Sequence, residues 1–418
     1  MVDIVNLRPD LEPMDALRLL VLLIIIIIAL RFKAPVGITL FGAGLLAALW
    51  YRLSFGEVIE GYWDLAKSER FLSLTGVMIL ITALGSLLTS LGYLDKLANA
   101  CRRLYGGNRT AVAMLPFLIG LMPMPGGALL SAPLVDSVLS EPKYTPEFKT
   151  AANYWFRHLV EPFWPIYPGV ILTQGVTGMP IFKVSLMQLP IAIVMAILGG
   201  IFYSRKIDQQ HDHKVSTRRS LLEILSTLWP VLGAIAVYAV FRIDIVWAVA
   251  VGLVALIVVA RPPLPELWQA TKKGFSYKMI LLVFGILSFQ TILELTGAIN
   301  SVPRLAASFD LPPEMVIFLV CFTLGLLTGM VAAFVGMGYT LLAGFLYQPN
   351  LVPGNILLAY LSGYLGMLLS PTHLCLILSN SYFKADLGKA YRQLAIPVLF
   401  LAIVIYLLSR TSWGHLFA

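Results

Sequence analysis

Gly120-Leu121-Met122-Pro123-Met124-Pro125-Gly126-Gly127-Ala128 is the stretch on which the reading of this chain turns. Proline lacks the N–H that a helix needs and glycine resists helical ordering, so no regular helix runs through 123–127. Apolar runs flank the break on both sides, at 110–122 and 128–139. Each is shorter than the roughly 20 residues that cross a bilayer as a helix. Two short arms around a Pro/Gly break predict a hairpin over about 110–140 that dips into a membrane. Irregular backbone at that depth survives only where protein or a water-filled cavity satisfies its polar groups.

The composition agrees with a membrane setting. The 418 residues are 59% hydrophobic and 12% charged, about half the charged fraction of a soluble domain, and the mean hydropathy is +0.85. Long apolar runs recur at 16–30, 71–91, 191–203, 221–240 and 396–408. Alternating barrel-type segments are absent, so the expected spans are helices, which satisfy their own backbone. The net charge of +8 sits in short loops, where it orients helices rather than attracting nucleic acid. Cys101, Cys321 and Cys375 show no metal-ligand spacing and read as packing residues, so no metal is expected. The polar start of the chain lacks a basic n-region, so the first span reads as an anchor, not a cleaved signal.

Moving outward from the hairpin, the next helix enters at 148 and meets Glu161-Pro162-Phe163-Trp164-Pro165-Ile166-Tyr167-Pro168. Three prolines in that stretch predict one broken span over about 148–176. An ordinary span follows at 187–203. The most polar segment, 204–220, divides the chain near its middle. His211 and His213 within it read as solvated, since two histidines alone are a poor metal signal.

The second half repeats the order. After spans at 221–241, 245–260 and 279–297 comes an apolar stretch broken at Gly329 and running through Gly336-Met337-Gly338 to 347. It predicts a second hairpin over about 311–347. A second broken helix, about 356–383, is interrupted at Ser370-Pro371-Thr372-His373, and a last span closes the chain at 393–408. Phe117-Leu118-Ile119-Gly120-Leu121 and Phe322-Thr323-Leu324-Gly325-Leu326 precede the two breaks. The expected architecture is an all-α polytopic membrane protein. It has about ten transmembrane helices plus two re-entrant hairpins in two inverted repeats with broken helices. Its parts are a tail at 1–15, repeats at 16–203 and 221–408 joined by a cytoplasmic linker at 204–220, and a tail at 409–418. With the loop after span one inside, 20 of the 30 lysines and arginines fall in cytoplasmic loops, as the positive-inside rule asks. The first hairpin then enters from the cytoplasm and the second from outside.

This order of elements resembles the ion transporter superfamily, which includes permeases for gluconate, citrate and dicarboxylates, and arsenite pumps. The residues 120–128 quoted above, Ser131-Ala132-Pro133, and Leu369-Ser370-Pro371-Thr372-His373-Leu374-Cys375-Leu376 are similar to a family in that group with no assigned function. The resemblance covers about residues 15–410. It implies that hairpin tips and broken helices bind a substrate, often an anion, with Na⁺ or H⁺, and that a transport domain moves against a scaffold like an elevator. Carried over, the site elements are 123–127 with 161–165, and 336–338 with 370–373. Dicarboxylate members carry Ser-Asn-Thr at the hairpin tips, whereas here Ser379-Asn380-Ser381 lies late in the second broken helix.

Charge inside a membrane is costly, roughly 3 kcal/mol or more at the helix centre, and marks candidate function. Arg157 and Glu161 are four apart on one helical face. They are either a structural ion pair or a substrate clamp with its coupling carboxylate, since a planar guanidinium suits carboxylates. His158 reads as a packed polar residue or a coupling group. His373 could titrate near neutral pH or cap freed carbonyls. Asp136 faces a cavity or the membrane surface. Pro123, Pro125, Gly126, Gly127, Gly336 and Gly338 let backbone approach a substrate, or serve helix packing. Ser131, Ser370, Thr372 and Asn380 are neutral candidate ligands.

The functional expectation is therefore an ion-coupled secondary transporter. It would be a symporter using Na⁺ or H⁺ for a small organic anion, working by alternating access in a prokaryotic inner membrane, as a homodimer. A cation/proton antiporter using Glu161 and Asp136, a channel, and a membrane-embedded enzyme are the alternatives. No cofactor is expected. An enzyme is disfavoured because His-Glu-x-x-His and Gly-x-Ser-x-Gly motifs are missing.

Overall fold

The computed structural model describes residues 13–103, 107–122, 127–208, 217–347, 349–411 and 413–417. Pro123, Pro125, Gly126, His211, His213 and most of the N-terminal tail lie outside the described residues.

Among those described, the chain is entirely helical. The first half runs α1 (Pro13–Arg31), α2 (Val36–Trp50), α3 (Phe55–Lys67), α4 (Glu69–Ser90), α5 (Tyr93–Arg103), α6 (Asn108–Gly120), α7 (Gly127–Val138), α8 (Pro146–Arg157), α9 (Pro168–Thr177) and α10 (Ile181–Phe202). The second runs α11 (Thr217–Phe241), α12 (Ile245–Ala260), α13 (Leu264–Gly274), α14 (Tyr277–Leu295), α15 (Ser301–Ser308) and α16 (Pro313–Thr328). It continues with α17 (Val331–Leu341), α18 (Ala343–Leu346), α19 (Pro353–Leu368), α20 (Leu374–Phe383) and α21 (Leu387–Ser409).

Local chemistry sets these boundaries. Ser54 and Glu57 form a capping box at the start of α3, satisfying two orphan N–H groups. Thr145 caps α8 with Pro146 behind it, and Pro168 and Pro353 open α9 and α19, where a missing N–H costs nothing. Gly329, at φ 64°, ends α16 in the left-handed region, which glycine enters freely.

Apolar residues on α1, α10, α12 and α21 face outward, including Leu20, Ile197, Val254 and Phe400. A belt of this kind is what lipid requires. Among the described residues, five helical stretches are long and apolar enough to cross a membrane: Glu69–Ser90, Ile181–Lys206, Ser220–Phe241, Leu264–Leu295 and Leu387–Ser409. Shorter apolar helices accompany them, such as Val36–Trp50 and Ile245–Ala260. The chain is a multi-pass membrane protein. The remaining apolar runs form shorter helices, because several of them end at a proline or a turn before reaching 18 residues.

The centre is built from the broken helices. Every residue of 151–160 on α8 and beyond is buried, as is every residue of 356–368 on α19. Glycines let the backbones close on them. A Cβ on Gly120 would lie 2.9 Å from the Arg157 carbonyl oxygen, and one on Gly325 would strike the Gly363 carbonyl. Thus the glycines of the two Phe-x-x-Gly-Leu matches do the same job, α6 on α8 and α16 on α19.

The second hairpin turns at Gly329-Met330, where the sequence breaks. Gly336 and Gly338 lie in a π-helical turn, Phe334–Gly338, inside α17. A turn with one extra residue absorbs the glycines without ending the helix. Both pack tightly: a Cβ on Gly336 would come within 2.6 Å of Ile286, and one on Gly338 within 3.2 Å of the Cys321 sulfur.

The loops gather at two ends. At one, Arg109 Nε donates to Ile207 O at 2.7 Å, Lys143 bonds Asp208, and the Asp386 N–H donates to Glu147 Oε1 at 3.2 Å. At the other, Arg410 pairs with Glu314 at 3.0 Å, Ser73 donates to Asp244 at 3.2 Å, and Arg70 Nη2 donates to Gln290 at 2.7 Å and to Val176 O at 2.8 Å. Arg70 thereby satisfies orphan carbonyls at the C-terminus of α9, which has no further helical turn to do so.

Candidate functional site

The two breaks meet. Helix α8 ends at Arg157, and the turns of 158–167 lead into α9; α19 ends at Leu368, and 369–373 lead into α20. His158 follows the first helix end and His373 precedes α20. Their Nε2 atoms are 3.0 Å apart, with ring centroids at 5.0 Å. Both are buried, at 1% and 8% exposure. His158 Nδ1 contacts the Tyr154 carbonyl at 2.6 Å and His373 Nδ1 contacts the Gly329 carbonyl at 2.7 Å. The turn of the second hairpin therefore holds the second break.

Arg157 holds the first hairpin. Its Nη1 donates to Tyr167 Oη at 2.7 Å, and Tyr167 donates to the Gly120 carbonyl at 2.5 Å. The guanidinium lies against Gly127, where a Cβ would be 2.9 Å from Nε and from Nη2. Gly127 is the first residue of α7. A cation thus sits at the positive end of a helix, a combination that favours a nearby anion. Nε of this buried arginine has no hydrogen-bond partner among the described residues.

Of the two readings of Arg157 and Glu161, the close ion pair is not formed, although the two charges act on each other. Glu161 Oε2 instead lies 3.5 Å from His158 Nε2, with its side chain 14% exposed. The helix ends at 157, so the i,i+4 spacing that would align the two side chains is lost.

The neutral candidates divide. Ser131 is buried and bonds back to the Gly127 and Ala128 carbonyls at 3.4 and 3.2 Å. Ser370 is buried and shares a 2.9 Å hydrogen bond with the exposed Thr372, closing the second break on itself. Asn380 Nδ2 donates to Ala385 O at 2.9 Å, near the end of α20 and away from the breaks. Asp136 pairs with Lys149 at 2.7 Å and is 43% exposed. It lies roughly 13 Å along α7 from Gly127, outside the central cluster.

Other residues join that sequence reasoning did not single out. Asn153 Nδ2 links the Ala128 carbonyl at 3.0 Å to Ser379 Oγ at 2.9 Å. Tyr364 Oη donates to His158 O at 2.6 Å. Asn153 Oδ1 and Tyr360 Oη are buried without partners among the described residues, and such groups call for a ligand or water. Cys375 brings its sulfur within 4.8 Å of both histidine ligand atoms and takes a backbone hydrogen bond from Ala128. His158, His373 and Cys375 are thus the residues that could hold a metal. Only His158 and His373 of this set stand out in the sequence, as polar residues in apolar surroundings. Cys375 gives no such signal, because its partner His158 stands in the other half of the chain.

The architecture has a counterpart among solved structures. It is similar to the YdaH transporter of Alcanivorax borkumensis, whose crystal structure is described as revealing an unusual topology, with a TM-score of 0.54 over 87% of each chain at 11% identity. At that identity the likeness is one of fold. No curated protein matches the sequence. The family described as protein of unknown function (DUF401) matches residues 16–410, and the chain belongs to that family.

Proposed function

We propose that the chain is an ion-coupled secondary transporter for a small organic anion, working by alternating access. The observation that carries this reading is Arg157. It is buried at 3% exposure, its Nε has no partner among the described residues, and it lies against the N-terminus of α7. A buried cation at a helix N-terminus with an unused N–H favours an incoming anion. A carboxylate satisfies it bidentately. Glu161, beside His158 and within the field of Arg157, is the carboxylate for a coupling Na⁺ or H⁺.

The fold supports the same reading. Broken helices paired with hairpins in two halves place a site at the midplane of many transporters, and the fold is shared with a protein described as a transporter. The two sets of loops support inverted repeats: α6 and α7 begin and end at the Arg109/Lys143 end, while α16 begins at the Glu314 end. With the basic end in the cytoplasm, the protein sits in a prokaryotic inner membrane. Homodimerisation through α1, α2, α11 and α12 leaves the broken helices free to move.

The test is a thermal-shift screen of purified protein against small organic anions, with and without sodium. A ligand that binds only the folded state raises the melting temperature. One anion class should raise it, and Arg157→Ala should erase that shift while the unliganded protein still melts cooperatively. A shift with cations alone, unaffected by Arg157→Ala, supports cation/proton antiport instead.

A further inference from the structure

The histidine pair has a proton-count problem. The Tyr154 and Gly329 carbonyls only accept hydrogen bonds, so each ring carries its proton on Nδ1. Both Nε2 atoms then present bare lone pairs, and these face each other at 3.0 Å. Two buried acceptors in contact with no donor between them are unfavourable. The arrangement needs a cation.

A third ligand decides which kind. The Cys375 sulfur lies within 4.8 Å of a ring nitrogen of each histidine. It takes a hydrogen bond from Ala128, in the first turn of α7, which fixes the side chain beside the two rings. Imidazole and thiolate together select zinc-like, borderline-to-soft cations. The backbone carbonyls on both Nδ1–H groups are the usual orienting partners of metal-bound histidines. At a metal–nitrogen distance of about 2.05 Å, two nitrogens 3.0 Å apart subtend roughly 94° at the ion. Opening the rings by a few tenths of an ångström reaches the tetrahedral angle. Among the ion pairs of the described residues, Glu161 Oε2 is the carboxylate oxygen nearest the two rings, 3.5 Å from His158 Nε2.

We propose that His158, His373 and Cys375 form a buried site for one zinc-class divalent cation, with Glu161 as its fourth neighbour. The ligands come from both breaks, His158 from the first and His373 and Cys375 from the second. Occupancy therefore pins the two halves of the chain to each other at their irregular segments. The inference does not rest on the anion-transport reading, since Arg157 is not a ligand.

The experiment uses purified full-length protein in detergent, stripped with a chelator and then titrated with Zn²⁺ against a chromophoric competitor. The expected stoichiometry is one zinc per chain. Co²⁺ in its place should give intense tetrahedral visible bands and a thiolate charge-transfer band in the near ultraviolet. Cys375→Ser should remove the charge-transfer band and weaken zinc binding by about tenfold or more, as loss of a ligand implies. His373→Gln should abolish binding, while Cys321→Ser and the double change His211→Gln, His213→Gln should leave it unchanged. Failure to retain zinc overturns the proposal and leaves a shared proton as the cation. Zinc binding indifferent to His373→Gln and Cys375→Ser overturns it equally. Should either variant misfold, X-ray absorption of zinc-loaded wild-type protein decides. One sulfur near 2.3 Å with nitrogens near 2.0–2.1 Å supports the site, and a sulfur-free shell rejects it.

Discussion

Gly127→Ala would place a Cβ 2.9 Å from both Nε and Nη2 of Arg157, so the guanidinium must move out of its place at the start of α7. The neighbour is the end of a long side chain, and the fold can absorb the change. The expected outcome is an unliganded melting temperature close to wild type and an anion-induced thermal shift that is reduced or lost. Arg157→Lys keeps the charge but not the fork, and should lower anion affinity by about tenfold or more. A titration read by the same thermal shift checks both variants, and an unaltered response in both would remove Arg157 from the site. At this scale the sequence is informative where a residue is out of character. Arg157, His158 and Glu161 stand in apolar surroundings, and His373 interrupts an apolar run. Tyr167, Asn153 and Cys375 are ordinary residues by type. Their role exists only because two breaks 215 residues apart touch, and no local pattern records that approach.

The helices meet by backbone contact at a few glycines. A Cβ on Gly285 of α14 would collide with the Gly37 carbonyl of α2. Close approach of this kind is how membrane helices associate without a hydrophobic drive. Backbone cannot swing aside as an arginine can, so Gly285→Ala should destabilise by about 1–3 kcal/mol or more, the range for overpacked cores. Gly42, on the same α2 helix, has nothing within 4 Å of its added Cβ. Gly42→Ala should be neutral or stabilise by up to about 1 kcal/mol through helix propensity. Melting curves of the two variants in one detergent make the comparison, and equal shifts would mean that the α2–α14 contact is not close-packed. Pattern alone does not say which glycine makes the turn. Both Gly329 and Gly336-Met337-Gly338 look like breaks in an apolar run. The chain turns at the first, where α16 ends with φ 64°, and absorbs the others in a π turn buried against Ile286 and Cys321. Which glycine becomes the turn is decided by packing partners on α14 and α16, and these are distant in sequence.

Across the whole molecule, two sets of loops make up its ends, and electrostatics treats them differently. At the Lys143 end, the hydrogen bond from Lys143 holds the Asp208 carboxyl below its ordinary range, and the lysine is raised in turn by Asp208 and Glu141. A carboxylate depressed on folding contributes stability above its unfolded pKa, near 3.9, and loses it as pH falls through the lower folded value. The pair is exposed, so Asp208→Asn should change the melting temperature little at pH 7 and less still in high salt. The arrangement of the ends carries a larger consequence. Helices α6, α7 and α8 reach the end that holds Arg109, Lys143 and Glu147, whereas α16 starts at the end that holds Glu314 and Arg410. If the halves are inverted across the bilayer, these ends lie on opposite sides of it. In a background where Cys101, Cys321 and Cys375 are replaced by serine, Glu147→Cys and Asp208→Cys should resist a membrane-impermeant maleimide in intact cells until the membrane is opened. Asp244→Cys and Glu314→Cys should react at once. Exchange of the two behaviours as sets would keep the inverted halves and reverse the orientation that the basic loops imply. Mixed behaviour within one end, or labelling of all four from one side, would mean that the two hairpins enter the membrane from the same face, and the alternating-access reading would lose its geometric basis.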